Sequence, residues 1–286
     1  MASSVRKAVI PVAGFGTRFL PITKSIPKEM LPIVDKPIIC YIVEEVVASG
    51  VTDILFVTSK YKKEIEDYFD SHYELEHLLE AKGKIEQLSL IKEASTLCNM
   101  YFIRQPEALG NGHAVNLAKA FVGNEPFAVL FGDDLMKSDT PVLKQLIDVH
   151  DKTGGNVIAA QEVPMDKISS YGVLKFADDN SNRIEGLVEK PKMEEAPSSY
   201  AITGRYVLNP EIFDALDKID LSPAGEYYLT DAMLKLMETQ EFYGCKYEGK
   251  YYDTGSKLGY LKATVDFALD RNIEGFKEFI DEKKVN

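Results

Sequence analysis

The chain has 286 residues, of which 45% are apolar and 27% charged, so it can bury one large core as a soluble globular protein. Its formal net charge of −12 argues against broad electrostatic binding to nucleic acid or to an anionic membrane, because both need a surplus of basic residues. Any anionic ligand must therefore meet a local basic cluster.

The cysteines and the hydropathy pattern indicate a cytoplasmic protein. Cys40, Cys98 and Cys245 are odd in number and widely spaced, which disfavours a disulfide scaffold or a zinc site. No apolar signal region precedes the first predicted strand, and no stretch approaches the roughly 18 apolar residues of a membrane span.

The first predicted strand leads into a glycine-rich loop. The apolar run Ala8–Val12 is followed at once by Gly14 and Gly16. Glycines allow backbone N–H groups to approach an anion, and a helix beginning just after the loop would point its positive dipole end at the same place. Arg18 and Lys28 would add positive charge. A strand-to-helix turn with no ligand is the alternative interpretation.

Neither common glycine motif is present. GxxxxGK[ST] is absent, and in GxGxxG the third glycine position holds Phe19. A P-loop kinase and a standard dinucleotide-binding protein are therefore both disfavoured.

Helices and strands alternate through the first half of the chain. Residues 32–50 carry apolar side chains at helical spacing, 53–58 form a second apolar strand, and 60–69 a returning helix. This alternation predicts parallel strands. The charged, leucine-bearing residues 74–92 predict helices or a surface excursion.

Two further strands bring candidate ligand-binding groups. The strand 100–104 runs into the loop 105–112, which is followed by a helix. The dense apolar strand 127–131 stops at Gly132, Asp133 and Asp134, and in open α/β sheets the strand ends face the ligand.

The second half predicts shorter strands in a mixed or antiparallel arrangement, with a turn at 178–181. The expected later elements are a strand at 201–207, helices at 210–218 and 227–239 with Thr230 as N-cap, a strand at 246–252 and mainly helical structure over 257–280. Glu189 and Lys190 end an apolar strand in the sequence VEKPK, which taken alone is more typical of a solvated ion-pair turn than of a binding site.

Several stretches in a set order resemble the sugar-1-phosphate nucleotidyltransferase family over nearly the whole chain. These stretches are GFGTR with KEMLP, RQPEALGNGHA, FGDD, VEKPK, LTDA and YYDTG. Within that family, IPKEMLP resembles the branch that transfers uridylyl groups from UTP to glucose 1-phosphate, and differs from the KQLLP-type pattern of thymidylyl relatives. Two departures are FGDD where members often have LPD, and Tyr228 where they often have glutamine.

The resemblance implies a fold and indicates which part of the chain binds which substrate. The expected fold is α/β, with a Rossmann-like central sheet that is mixed but mostly parallel, flanked by helices, and a smaller antiparallel β addition in the sugar-binding half. We expect a single nucleotidyltransferase domain over 1–286, in which 1–150 mainly bind the nucleotide and 151–286 contribute the sugar site and the C-terminal helices.

The resemblance also implies roles for individual residues. Asp133 would hold Mg²⁺, with Asp231 as a weaker second candidate that is equally typical of a helix cap, while Asp134 would face away or cap a turn. The residues expected to face UTP are Ala13, Gly14, Gly16, Thr17, Glu29, Gln105 and Gly110. Those expected around the sugar are Tyr171, Gly172, Glu189 and Gly204.

The implied reaction is in-line attack of the sugar phosphate on the α-phosphorus of UTP. The catalytic residues would be Arg18 and Lys28 on the leaving pyrophosphate and Lys190 on glucose 1-phosphate. Because the attacking oxygen is already anionic, no strong base is needed, and His113 is expected to pack or cap a helix. UTP and glucose 1-phosphate would be the small-molecule partners, and a homo-oligomer, dimer or tetramer, is expected.

Other functions remain open at this point. Thymidylyl or adenylyl transfer to a sugar 1-phosphate would use the same site, and a non-catalytic nucleotide-sugar sensor could use the same fold. A Rossmann oxidoreductase is disfavoured because this chain lacks the third glycine of the dinucleotide-binding motif and an acidic residue placed to bind the ribose.

Overall fold

The computed structural model describes residues 4–178 and 182–284, so three residues of the predicted turn at 178–181 lie outside the described part. The strands are β1 Lys7–Pro11, β2 Pro32–Ile33, β3 Lys36–Pro37, β4 Asp53–Thr58, β5 Asn99–Arg104, β6 Phe127–Leu130, β7 Asp134–Lys137, β8 Asn156–Glu162, β9 Gly172–Phe176, β10 Arg183–Glu189, β11 Tyr200–Leu208, β12 Phe242–Lys246 and β13 Lys250–Asp253. The α-helices are α1 Ile38–Ala48, α2 Lys63–Phe69, α3 Tyr73–Ala81, α4 Ile85–Thr96, α5 Gly110–Asn116, α6 Lys119–Val122, α7 Val142–Thr153, α8 Ile212–Leu216, α9 Leu229–Leu236, α10 Lys257–Asp270 and α11 Phe276–Lys284.

The fold is mixed α/β and is built on a nine-stranded sheet of order β5-β4-β1-β6-β11-β8-β12-β10-β9. The strands β5, β4, β1 and β6 pair in parallel, as the alternation of helices and strands predicts. Their carboxyl ends therefore lie at one edge of the sheet, where the loops after β1 and β6 meet.

The prediction of a mostly parallel sheet is wrong for the sheet as a whole. Among the described strands, four of its pairings are parallel and five antiparallel, because β11 runs antiparallel to β6, β8 and β9, and β10 does so to β9 and β12. The antiparallel strands β9 and β10 are also not a separate addition, since they continue the same sheet.

The core lies on both faces of this sheet. One cluster packs α1, α7 and α10 against it, and the other packs α5, α8 and α9 against the opposite face. Helix α1 contributes Ile38, Ile39, Ile42, Val43 and Val46, all fully buried, which confirms the helical spacing read from 32–50. Burial of each such side chain stabilises the fold by about 1.5–3 kcal/mol.

Three predicted elements differ in the structure. Residues 246–252 are not one strand, because Gly249, at φ 149°, separates β12 from β13. The helical stretch 257–280 breaks between α10 and α11, where Asn272 and Gly275 have positive φ. Thr230 is not an N-cap, since α9 begins at Leu229 and has no side-chain cap. Within the described residues, no helix is long and apolar enough to span a membrane.

Candidate active site

The glycine-rich loop follows β1 and is held by its own neighbours. Gly16 adopts φ 66°, and Thr23 donates a 2.8 Å hydrogen bond to its carbonyl. A Cβ at Gly16 would lie only 3.2 Å from the Thr23 side chain and 3.3 Å from that of Lys28, so this turn requires glycine. The helix expected after the loop is only a three-residue 3-10 turn, Thr17–Phe19, so the predicted helix dipole at this place is absent.

A cleft of about 370 Å³ opens beside this loop. It lies between the loop after β1, the 3-10 turn Lys28–Met30, the loop after β6 and the start of α5. Nine of the sequence-predicted site residues line it, namely Ala13, Gly14, Gly16, Thr17, Lys28, Glu29, Gln105, Gly110 and Asp133. We call it the nucleotide cleft.

A second cleft of about 450 Å³ adjoins the first. The remaining predicted residues line it, namely Arg18, Tyr171, Gly172, Glu189, Lys190 and Gly204. Asp133, Asn111, Phe131 and Glu226 line both clefts, so the two are contiguous and Asp133 stands at their junction. We call this second space the sugar cleft.

Asp133 is surrounded by positive charge. Lys28 Nζ lies 2.5 Å from Asp133 Oδ2, and Arg18 Nη2 lies 4.0 Å from the same oxygen. Burial raises the pKa of Asp133, but the two cations outweigh this effect and hold that pKa below its ordinary value. Burial lowers the pKa of Lys28, and Asp133 with Glu29 more than reverses that shift. Asp133 and Lys28 therefore form an ion pair.

Asp253 is a site residue to which the sequence reasoning assigned no role. Its Oδ2 lies 3.8 Å from Arg18 Nη1. A Cβ on Gly255 would overlap Asp133 Oδ2 and lie 3.0 Å from Asp253 Oδ1, so the two carboxylates converge on the space left by this glycine. The YYDTG motif was the available signal, since it places Asp253 at the end of β13.

Asp231 lies elsewhere. It belongs to the first turn of α9 and lines neither cleft, whereas its neighbour Thr230 does line the sugar cleft. The second carboxylate near Asp133 is therefore Asp253. Within the described residues, no group of three or more His, Cys, Asp or Glu side chains could hold a metal ion by itself. Two carboxylates do suit a hard divalent ion that takes its other ligands from phosphate oxygens and water.

Asp134 does not face away from the site, contrary to the sequence-based expectation. It lines the sugar cleft, where the Tyr251 hydroxyl donates a 2.6 Å hydrogen bond to its Oδ1. A Cβ on Gly204 would overlap its Oδ2, and Gly204 has φ 67°. Burial, together with the neighbouring charge of Asp133, raises the pKa of Asp134 to about 7.

Gln105 is oriented by the loop that precedes α5. Its Nε2 donates to the Gly110 carbonyl at 3.1 Å and to His113 Nδ1 at 3.0 Å. His113 thus orients a pocket residue rather than standing free as a base. Because both donors of the Gln105 amide are engaged, its Oε1 is the atom available to accept a hydrogen bond from a ligand.

Glu29 is buried in the wall of the nucleotide cleft. Its side chain is 1% exposed, and its Oε2 accepts a 2.7 Å hydrogen bond from Lys62, whose side chain is 6% exposed. Sequence reasoning missed Lys62, because a lysine near the start of the predicted returning helix 60–69 carries no sign of burial in the sequence.

Lys190 reaches into the sugar cleft from the end of β10. Its backbone has φ 46°, and its N–H donates to the Tyr171 carbonyl at 3.0 Å. Its side chain is 63% exposed, and its ammonium lies 3.6 Å from Glu189. The ammonium is therefore accessible to an anion in the sugar cleft.

The fold and the site together define an α/β protein in which two contiguous clefts meet at a partly buried aspartate, Asp133. A family model described as nucleotidyl transferase matches residues 7–269. The chain belongs to the nucleotidyl transferase family.

Individual relatives within this family share one described activity. The chain is 51% identical to a UTP--glucose-1-phosphate uridylyltransferase of Staphylococcus epidermidis over 267 residues, covering 93% of each chain. It is also 51% identical to one of Bacillus subtilis, covering 93% of this chain and 91% of that one. A solved structure of a UTP-bound UGPase from Acinetobacter baumannii superposes with a TM-score of 0.90 at 40% identity, covering 97% of this chain and 99% of the other. Nucleotidyltransferases of this kind generally use a divalent metal.

Proposed function

We propose that this chain transfers a uridylyl group from UTP to α-D-glucose 1-phosphate, producing UDP-glucose and pyrophosphate. The observation that carries the proposal is Asp133, paired with Lys28 at the junction of the nucleotide and sugar clefts. At this junction the α-phosphorus of UTP and the phosphate of the sugar must meet. The names of the relatives at 51% identity support the same reaction.

In the nucleotide cleft, the loop residues Ala13, Gly14, Gly16 and Thr17 would receive UTP, with Gly110 closing the other side. Gln105 Oε1 would accept from N3–H of uracil, since the amide donors are already used. Glu29 would act through the shape and charge of the wall rather than by open contact, because its carboxylate is bonded to Lys62. Arg18 and Lys28 would hold the leaving pyrophosphate.

In the sugar cleft, Lys190 would bind the phosphate of glucose 1-phosphate and Glu189 would accept hydrogen bonds from hydroxyls. Tyr171, Gly172 and Gly204 would shape the wall. Asp134 joins this set, since its carboxyl borders the same space.

Catalysis would depend on position and charge. The phosphate of glucose 1-phosphate is anionic, so its oxygen can attack in line without a general base while Lys190 holds it against UTP. Asp133 and Asp253 would hold Mg²⁺, which supplies charge neutralisation to the phosphates when bound. The negative balance of the chain makes this local compensation necessary, because UTP carries about four negative charges near neutral pH.

We further propose that the chain works as one domain and as a homo-oligomer in the cytoplasm. The continuous sheet, together with a family match over 7–269, supports a single domain. Leu258 and Leu261, one turn apart on α10 and both more than half exposed, offer an apolar face for a second copy. Cys40, Cys98 and Cys245 are free thiols, as suits a reducing compartment. Light scattering that gives only the 32.0 kDa monomer mass would contradict the oligomer.

The deciding experiment is a pyrophosphate-release assay with Mg²⁺ and glucose 1-phosphate, run with each nucleoside triphosphate in turn. We expect UTP to be the best substrate. Faster reaction with dTTP or ATP would favour thymidylyl or adenylyl transfer, and no release with any nucleotide would favour the nucleotide-sugar sensor.

A further inference from the structure

A buried ion pair in the wall of the nucleotide cleft takes no chemical step in the proposed reaction. Lys62 and Glu29 are both almost fully buried and are joined by a 2.7 Å hydrogen bond. A buried ion pair is weak evidence for stability, because the loss of hydration offsets most of the attraction between the charges. The position of the pair is therefore the better guide to its role.

The pair joins the turn after β4 to the 3-10 turn that lines the nucleotide cleft. Lys62 closes the turn after β4, where its N–H donates to the Ser59 carbonyl at 3.2 Å, and α2 begins at the next residue. Glu29 lies in the 3-10 turn Lys28–Met30, which carries the ammonium that meets Asp133. The bond between Lys62 and Glu29 thus ties the end of β4 to the turn that presents Lys28.

The other side of Glu29 is closed by packing. A Cβ on Gly132 would lie 3.1 Å from Glu29 Cγ and 2.8 Å from Val12 Cγ1, so both side chains pack directly against the backbone of this glycine. The charges alternate along a row that runs from the buried pair to the junction of the clefts. In order, the row consists of Lys62, Glu29, Lys28 and Asp133.

Burial acts on both members of the pair in the direction expected for charges removed from water. It raises the pKa of Glu29 and lowers the pKa of Lys62, and each partner opposes the shift of the other. Removing one partner should therefore favour the neutral form of the other.

We propose that Lys62 is a positioning residue which, through Glu29, fixes the 28–30 turn and so holds the ammonium of Lys28 at the nucleotide cleft. The inference rests on the proposed function because UTP is the ligand whose binding reports it.

The test measures UTP binding by calorimetry, with Mg²⁺ present, together with KM for each substrate. The variants are Lys62→Met, Glu29→Gln and the double variant, and the matched control is Lys63→Met, an exposed lysine at the next position. We expect each single variant to weaken UTP binding about tenfold or more, since small misplacements of a binding group are costly. KM for glucose 1-phosphate should stay unchanged.

The double variant separates positioning from stability. If the pair only supports the fold, two neutral side chains should restore UTP binding, whereas a positioning role predicts that binding stays as weak as in the single variants. UTP binding within twofold of wild type in Lys62→Met or in the double variant would overturn the proposal, as would failure of both to fold. If the wild type binds UTP but makes no UDP-glucose, the proposed function fails, whereas the comparison of UTP binding between wild type and variants still tests the role of Lys62.

Discussion

Asp133 and Lys190 are the residues on which the proposed chemistry depends most. Asp133→Asn keeps the side-chain volume but removes the charge that Lys28 and Arg18 face, and Lys190→Met removes the exposed ammonium of the sugar cleft. We expect each to lower kcat/KM on the order of 10³-fold or more, because electrostatic stabilisation is the largest contribution expected here.

Steady-state kinetics, with matched surface variants as controls, would measure these losses of kcat/KM. Asp139→Asn and Lys192→Met change exposed side chains outside both clefts and should leave the rate unchanged. Wild-type turnover in Asp133→Asn or Lys190→Met would contradict the assigned roles.

Asp134 makes a pH-dependent contribution to stability. Its pKa is about 7 when folded, against an ordinary value of 3.8, so between these values the folded chain keeps a proton that the unfolded chain releases. This contribution is fully present below about pH 4 and is lost as the pH rises through 7. Asp134→Asn keeps an acceptor for Tyr251 and removes the titration.

Urea unfolding from pH 5 to 8 would measure the effect. We expect the stability of the wild type relative to Asp134→Asn to fall by on the order of 2–3 kcal/mol over this range. Asp139→Asn, at an exposed position, should follow the wild-type curve. A constant difference between wild type and Asp134→Asn would show that Asp134 ionises normally in the folded chain.

At the scale of the element, β11 changes register beside the site. Its pairing with β8 shifts between Ile202 and Tyr206, and Gly204 lies within that shift. The glycine makes room for Asp134, and its carbonyl accepts from the Phe131 N–H at 3.0 Å. Gly204 thus lies at the register shift and leaves room for the Asp134 carboxyl in the sugar cleft.

Gly204→Ala and Gly154→Ala form a matched pair, since their φ values are 67° and 70°. Each should lose about 1–2 kcal/mol of stability because alanine is disfavoured at such a positive φ. Only Gly204→Ala also meets the Asp134 carboxylate, whereas no atom lies within 4 Å of a Cβ at Gly154.

We therefore expect Gly204→Ala to lose roughly 2 kcal/mol more stability than Gly154→Ala in urea unfolding, and to raise KM for glucose 1-phosphate. Equal losses of stability would mean that Asp134 moves aside without cost.

At the scale of the whole molecule, Arg205 joins the two halves of the chain. It is fully buried on β11, and its guanidinium binds Glu45 of α1 at 2.9 Å. It also donates to the Phe131 carbonyl at 3.4 Å and to the Asp134 carbonyl at 2.6 Å. The loop that carries Asp133 is therefore held from the second half of the chain.

Arg205→Met should destabilise the fold by about 3–5 kcal/mol, because it leaves the Glu45 carboxylate buried without its partner. Replacing both Arg205 and Glu45 by methionine should recover at least half of that loss. Lys119→Met, which removes a half-exposed pair with Asp217, should change stability far less than Arg205→Met. Urea unfolding of these variants would measure the order of their stability losses. A double variant no more stable than Arg205→Met would contradict the expected recovery.

The sequence by itself determined the local patterns and the family. The apolar periods predicted α1 and the parallel strands β1, β4, β5 and β6, and the ordered motifs predicted the residues that line the two clefts. These features are readable because periodicity and motif spacing act over short stretches of chain.

Only the tertiary structure decided how distant stretches meet. It brought Asp253 rather than Asp231 next to Asp133, turned Asp134 into the sugar cleft, and buried Lys62 against Glu29. It also ran β11 antiparallel between β6 and β8, which made the sheet evenly mixed. Side-chain direction, burial and strand pairing depend on contacts between residues far apart in the chain, and no local pattern encodes them.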